Sequence, residues 1–239
     1  MSGGCDPNPA PTGLRADEVL VVRGSLDPED ASSLEPLLSP EEAARAARFV
    51  HARERARYTV SRGRLRMLLA GLAGADPMDL AIETGADGKP RVGGDSRIRF
   101  NISHSGALWA CAVALQREVG LDLEEIRPGR EVDRIAERTF APAETAAIRA
   151  LPEAERAAAF HRCWTRKEAY LKARGFGIAE AIPLASFEGE VRPGVPARLL
   201  ATQPDPADAG RWSLHDLDLG PGFAAAVCVE GEVSAVRIK

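Results

Sequence analysis

Two stretches decide the fold: Trp109-Ala110-Cys111-Ala112-Val113-Ala114 and Phe223-Ala224-Ala225-Ala226-Val227-Cys228. Both are short apolar runs of strand length, built from small residues. Each follows a proline-opened helical region. Before the first, Ser39-Pro40-Glu41-Glu42 is a strong helix start: Ser39 as N-cap, Pro40 at the first helical position and Glu42 three residues on, completing a capping box. Before the second, Ala141-Pro142-Ala143-Glu144 opens a helix and Pro152-Glu153 another. The two sets lie roughly 100 to 115 residues apart, the spacing of an internal repeat. The resemblance of the two runs predicts an α+β fold of two similar, pseudo-twofold-related halves. Each half is a long helix on a small antiparallel sheet, and a site is expected in the cleft between them.

Outward from these runs, the first helical region extends to about Gly71, with a break near His51. Phe49, Ala52, Ala56, Val60, Gly63, Met67 and Ala70 follow the 3/4 spacing of one apolar face. Asp87-Gly88-Lys89-Pro90 reads as a turn. Strands are expected at 98–103, 108–115 and 118–126, the first two joined at Ser105-Gly106. The last helical region runs to about Arg174, where Gly175-Phe176-Gly177 stops it. Further strands follow at 185–188, 212–219, 223–230 and 233–238. The expected division is a disordered lead-in (1–16), an N-terminal half (17–117) and a C-terminal half (118–239).

Composition excludes several classes. The chain has 239 residues, 45% hydrophobic and 28% charged, with a formal charge of −4, as in ordinary globular proteins. No apolar run approaches the ~20 residues that span a bilayer, and the N-terminus lacks the basic and apolar regions of a signal peptide. A cytoplasmic protein without membrane contact is expected. The four cysteines, Cys5, Cys111, Cys163 and Cys228, are scattered and form no metal-binding pair; Cys111 and Cys228 read as small buried hydrophobes. Of 31 basic residues only four are lysines: Lys89, Lys167, Lys172 and Lys239.

Three features carry candidate chemistry. From Arg45 to Arg66 there are eight arginines and one acid, Glu54. This is either a solvated amphipathic helix or a surface for phosphate or an acidic partner, since guanidinium matches phosphate bidentately. Nucleic acid fits poorly, because the whole chain is acidic and no aromatic platform interleaves the arginines. In Gly120-Leu121-Asp122-Leu123-Glu124 the strand period puts Asp122 and Glu124 on one face, roughly 6 to 7 Å apart at Cα. That is either an exposed edge or a pair held ionised by a cation, for which hard oxygen donors favour Mg²⁺ over zinc. In Trp164-Thr165-Arg166-Lys167-Glu168-Ala169-Tyr170-Leu171-Lys172, Trp164, Glu168 and Lys172 share a helix face. They make either a surface ion pair or a third carboxylate for that cation with an ammonium to offset phosphate charge. Asn101-Ile102-Ser103-His104-Ser105 closes a strand with a polar tip able to hold a nucleotide.

In order, Asp87-Gly88-Lys89-Pro90, Phe100 to Ser105, Gly120 to Glu124 and Trp164 to Lys172 resemble the motifs of the Sfp-type 4′-phosphopantetheinyl transferases, over roughly residues 40 to 230; the Arg45–Leu69 stretch is similar to that family's arginine-rich segment. The resemblance implies transfer of phosphopantetheine from coenzyme A to a serine of an apo acyl or peptidyl carrier of fatty acid, polyketide or nonribosomal peptide synthases, with release of adenosine 3′,5′-bisphosphate. It implies Mg²⁺, or Mn²⁺ in its place, on Asp122, Glu124 and Glu168. Glu168 would take the serine proton directly or through water, and Lys172 would stabilise the leaving phosphate. Arg57, Lys89, Pro90, Asn101, Ser103, His104 and Lys167, and more loosely Arg45 and Arg48, would surround coenzyme A. A monomer is expected, because one chain holds both halves. The alternative is a non-catalytic module of the same fold that binds coenzyme A or a carrier.

Overall fold

The computed structural model describes residues 13–85, 88–94, 96–127, 132–175, 184–192 and 194–239. Residues 1–12 with Cys5, Asp87 of the turn and the Phe176-Gly177 helix stop lie outside the described residues. In chain order the elements are β1 (Glu18–Ser25), α1 (Ala31–Leu34), α2 (Pro40–Ala47), α3 (Ala52–Ala73), β2 (Ile82–Thr84), β3 (Pro90–Val92), β4 (Ile98–Ser105), β5 (Leu108–Leu115) and β6 (Val119–Glu125). There follow α4 (Val132–Thr139), α5 (Pro142–Arg149), α6 (Glu153–Ala173), β7 (Phe187–Gly189), β8 (Leu199–Thr202), β9 (Trp212–Asp216), β10 (Phe223–Glu230) and β11 (Ala235–Ile238). The fold is α+β.

The repeat is visible in the topology. One sheet contains β1-β5-β4 and the other β6-β10-β9, in each case the earliest of the three strands in sequence, then the latest, then the intermediate one. The Ser39 capping box forms as expected: Ser39 Oγ accepts from Glu42 N at 3.2 Å, and Glu42 Oε2 accepts from Ser39 N at 3.0 Å. Glu144 repeats the second bond, accepting from Ala141 N at 2.9 Å. The inner faces of the two sheets meet in one apolar layer containing Val19, Val21, Ala110, Ala112, Leu121, Leu123 and Val227. On the outer faces, α3 packs over Leu20, Phe100, Trp109, Cys111 and Val113, and α6 over Ala226 and Cys228.

Those faces define the register in which the two runs correspond. Val113 faces its helix, whereas Val227 faces the other sheet, so pairing the runs as written sets them one residue out of register. A one-residue slip in a strand exchanges its two faces, and alanine-rich runs do not reveal it.

Other expectations are also corrected. Ala52 and Met67 are exposed rather than buried; the inner face of α3 includes Val60, Leu65 and Leu69, and also Arg66, which is 3% exposed. The final strand β11 pairs in parallel with β1, so residues 235–238 extend the first sheet and cross the expected boundary at 117/118. Leu14 is buried in the α3 core, so the part of the 1–16 lead-in that is described is docked. Cys111 and Cys228 are fully buried, with burial pushing both thiols far up from their ordinary pKa.

Candidate active site

The site lies where β4 and β6 run side by side as edge strands of the two sheets. Alternate side chains of β4 bridge them. Asn101 Oδ1 accepts from Leu121 N at 2.9 Å, Ser103 Oγ donates to Asp122 Oδ1 at 3.2 Å, and Ser105 Oγ donates to Glu124 Oε2 at 2.9 Å while accepting from Glu125 N at 3.0 Å. The polar strand tip is therefore a side-chain ladder between the halves. Asn101 is buried and occupied in it, which corrects its expected place beside the cofactor. Ser103 is buried too and acts on Asp122.

The close approach of α6 comes from Gly120. A Cβ there would stand 2.1 Å from Ala169 O and 2.2 Å from Ala173 N, so only glycine lets the helix lie this near β6. With the helix so placed, Asp122, Glu124, Glu168 and Lys172 gather. Lys172 Nζ donates to Asp122 Oδ1 at 2.6 Å, to Leu121 O at 3.2 Å and to Ser103 Oγ at 3.3 Å. Asp122 is 4% exposed and its Oδ2 is buried without a partner. Burial, then the charges of Asp122 and Glu124, push the Glu168 carboxyl above its ordinary pKa against the pull of Lys172. Three carboxylates thus share one space with one ammonium. Among the described residues no group of three or more His, Cys, Asp or Glu side chains is placed, as it stands, to hold a metal ion. The donor set is nonetheless all hard oxygen, and although Oδ1 of Asp122 is paired with Lys172, its buried Oδ2 has no protein partner; these residues fit a divalent ion.

Two clefts adjoin these strands, one against Ile102 and His104 of β4 and the other against Glu124 of β6. The first, of about 570 Å³, is lined by Arg45, Arg57, Arg62 and His104 but equally by Glu41, Glu42, Glu54 and Glu83, with Tyr58 and Pro90 among its other walls. Arg57 Nη2 donates to Gly106 O at 2.6 Å, fixing its guanidinium, while its Nε is buried without a partner. Arg45 lies over the Tyr58 ring at 5.6 Å. Arg48 is exposed and does not line this cleft. The second, of about 360 Å³, is walled by Glu124, Arg127, Ile135, Phe160, His161 and Trp164. Phe160 stacks on Phe140 at 5.1 Å. Sequence reasoning missed Ile135, Phe160 and His161, although His161 and Trp164 share the helix face of Glu168 and their spacing could have flagged it.

Two lysines are placed differently from expectation. Lys89 Nζ donates to Glu118 Oε2 at 2.7 Å and Ala173 O at 2.9 Å, clamping the turn to the end of α6. Lys167 is 1% exposed and donates to Glu144 Oε2 at 2.8 Å, to Leu184 O at 2.6 Å and to Phe187 O. Neither ammonium is presented to a ligand, because internal acceptors already surround it. Much of the arginine helix is likewise committed internally: Arg64 to Asp30 at 2.7 Å, Arg62 and Arg66 to Glu42.

Comparison with known proteins bears on this geometry. Residues 118–228 match the model of the 4′-phosphopantetheinyl transferase superfamily, and residues 27–116 that of the 4′-phosphopantetheinyl transferase N-terminal region. The 4′-phosphopantetheinyl transferase HetI of Nostoc sp. is 40% identical over 230 residues, 94% of this chain and 93% of that one. The chain belongs to this family. Among the 4′-phosphopantetheinyl transferases it is similar also to Sfp of Bacillus subtilis, 29% identical over 203 residues, covering 85% of this chain and 87% of Sfp, and is of the Sfp type. A holo-(acyl-carrier-protein) synthase of Bacillus anthracis, solved in complex with CoA (3′,5′-ADP), covers 48% of this chain and 96% of its own at 22% identity, with a TM-score of 0.39. The family's two matched regions meet at 116/118, the segment that leads from β5 into the acid-bearing β6.

Proposed function

We propose that this transferase moves the 4′-phosphopantetheine group of coenzyme A onto the acceptor serine of an apo acyl or peptidyl carrier, releasing adenosine 3′,5′-bisphosphate. The observation that supports this reading most is the gathering of Asp122, Glu124, Glu168 and Lys172 at the seam of β4, β6 and α6. The serine oxygen forms a bond to the phosphorus nearer the pantetheine, and the bond from that phosphorus to the bridging oxygen breaks. The serine proton goes to Glu168, directly or through a water, a transfer favoured by the carboxylate's raised proton affinity. The Lys172 ammonium, at the edge of the acid cluster, offsets charge growing on the departing bisphosphate. Such a reaction needs positioning and charge neutralisation more than covalent catalysis, and the partner brings the nucleophile.

Asp122, Glu124 and Glu168 would hold Mg²⁺, or Mn²⁺ in its place. When bound, the ion supplies charge neutralisation to the diphosphate. Arg45, Arg57 and His104, with Pro90 as an apolar wall, face the phosphates and adenine of coenzyme A from the larger cleft. The apolar cleft beside Glu124 faces the incoming carrier. Both halves lie in one chain, which supports a monomer. The buried, free Cys111, Cys163 and Cys228 suit a reducing cytoplasm, and no helix among the described residues is long and apolar enough to cross a membrane. The test is mass spectrometry of an apo carrier incubated with coenzyme A, Mg²⁺ and the enzyme. A gain of about 340 Da, the mass of the transferred group, is the expected outcome for this reaction class. No gain on any of a panel of carriers overturns the reading.

A further inference from the structure

The expected role of Lys167 as a coenzyme A contact does not survive its burial, which leaves a buried ammonium to explain. Its partner Glu144 is 2% exposed and is a hub in its own right. Glu144 Oε2 takes Ala141 N at 2.9 Å and Lys167 Nζ at 2.8 Å, while Oε1 takes Gly189 N at 2.7 Å. One carboxylate therefore ties the start of α5, the middle of α6 and β7. All three protons of Lys167 are used, two of them on Leu184 O and Phe187 O, and its charge lies 4.3 Å from the Phe187 ring centre.

The N-terminal half builds the same device. Glu42, also three residues after the N-cap of a proline-opened helix, takes Arg66 Nε at 2.5 Å, and Arg66 Nη1 donates to Pro77 O at 2.8 Å and Leu80 O at 2.9 Å. Arg66 and Lys167 stand equally far from the first residues of α3 and α6. In both halves a buried cation on the long helix binds the capping glutamate of the short helix and two carbonyls of the chain beyond. In the C-terminal half the next residue is Glu168.

We infer that Lys167 and Glu144 form a positioning latch that sets the rotation of α6, so that Glu168 points at Asp122 and Glu124. The latch rests on the transferase reading for its consequence. A helix free to turn or slide carries Glu168 off its mark, and a misplacement of about 1 Å can cost on the order of 100-fold in rate.

The test compares E144Q, K167M, the double variant E144Q/K167M and K167R with wild type, measuring kcat and KM for coenzyme A, direct coenzyme A binding by calorimetry, and Tm. Wild-type transfer tests the functional reading separately: its absence sinks that reading and leaves the latch to the binding and Tm data. Expected are falls in kcat of roughly 10- to 100-fold for E144Q and for K167M, with KM and coenzyme A affinity within about twofold. The double variant is expected to be no worse than either single one, since both remove the same contact. K167R is expected to keep kcat within about threefold, because Arg66 shows that a guanidinium fits this arrangement. E144Q leaves the Lys167 ammonium buried without its carboxylate and K167M leaves the Glu144 carboxylate buried without its ammonium, whereas the double variant removes both charges and keeps the comparison open should either single variant fold poorly. A tenfold loss of coenzyme A affinity in K167M with E144Q unaffected overturns the latch, as do additive losses in the double variant.

Discussion

The two halves share an order of elements, yet only one of them carries the acids. In the C-terminal half Gly120 lets α6 lie against β6, and the strand face under the helix holds Asp122 and Glu124. In the N-terminal half Leu20 and Val22 of β1 occupy the corresponding face, and α3 is held off by their side chains and by Trp109 below. The residue after the latch cation is Glu168 in α6 and Met67 in α3. One half has thus become a close-packed acid site, and the other bears a cleft of about 570 Å³ whose wall mixes Arg45, Arg57 and Arg62 with Glu41, Glu42, Glu54 and Glu83. A duplicated scaffold specialises by changing the residues on one strand face and one helix face while keeping the latch and cap that set the geometry.

The largest expected effect removes the acid half's chemistry. Asp122→Ala is expected to lower transfer by roughly 100- to 1,000-fold, the scale of losing a group that acts on developing charge. The folded protein should persist, because Val22 shows that an aliphatic side chain suits this strand face. Steady-state rates on an apo carrier and a thermal melt check both halves of the statement. Activity within tenfold of wild type would detach Asp122 from the chemistry.

Next comes the packing contrast. Gly120→Ala drives a Cβ into the backbone of α6, which cannot yield locally, and is expected to cost about 3 kcal/mol or more. Gly24→Ala, on the first strand of the other half, meets Arg64 Nη1 at 2.8 Å, the far end of a flexible side chain. It is expected to cost under about 1 kcal/mol. Urea midpoints of the two variants decide the matter; equal losses would mean that the halves do not differ in helix approach.

The carboxylates of the two halves should respond to pH with opposite signs. Burial opposes ionisation of Glu42, but the Ser39 N–H, Arg66 and Arg62 outweigh it and hold the carboxyl below its ordinary pKa. Its folded-state preference for the charged form contributes stability that is present above pH 4.5, the ordinary value, and is lost as pH falls through the lowered one. Glu168, held above its ordinary value, does the reverse: its ionisation costs stability as pH rises from 4.5 through the raised value. In chelator, Glu42→Gln is expected to be less stable than wild type at pH 7, by roughly 1–3 kcal/mol, and to approach it under acid. Glu168→Gln is expected to be more stable at pH 7 and to lose that advantage under acid. Added Mg²⁺ should stabilise the wild type more than Glu168→Gln. Melts that shift in the same direction for both variants would break the contrast.

What could be read in the chain follows its range in space. Proline-started helices, their caps and the strands around Ala112 and Val227 depend on neighbours within a few residues, so periodicity reveals them. The acids at 122, 124 and 168 were visible because strand and helix spacing place them on shared faces. The partners of Lys89, Arg66 and Lys167 were not, since each ion pair joins elements 20 or more positions apart and a lysine's sequence context is silent about burial. The β4 ladder was hidden for a related reason: Asn101, Ser103 and Ser105 look alike whether they face a ligand or a neighbouring strand. Short β2, β3 and β8 carry too few residues for any period to emerge. The register of the repeat was hidden by alanine on both strand faces.

The smallest expected effect probes that asymmetry at its most exposed point. Met67 sits where α6 has Glu168, but it is 53% exposed. Its methyl lies at the surface, and a carboxylate there stays in water. Met67→Glu is therefore expected to shift stability by no more than about 0.5 kcal/mol and to leave kcat unchanged, while Glu168→Met, the reciprocal exchange, abolishes proton acceptance. A chemical melt and carrier-loading rates of the pair measure it. If Met67→Glu instead destabilised the protein by several kcal/mol, α3 would turn this face inward as α6 does, and the two helices would differ in their side chains alone rather than in how they seat on their sheets.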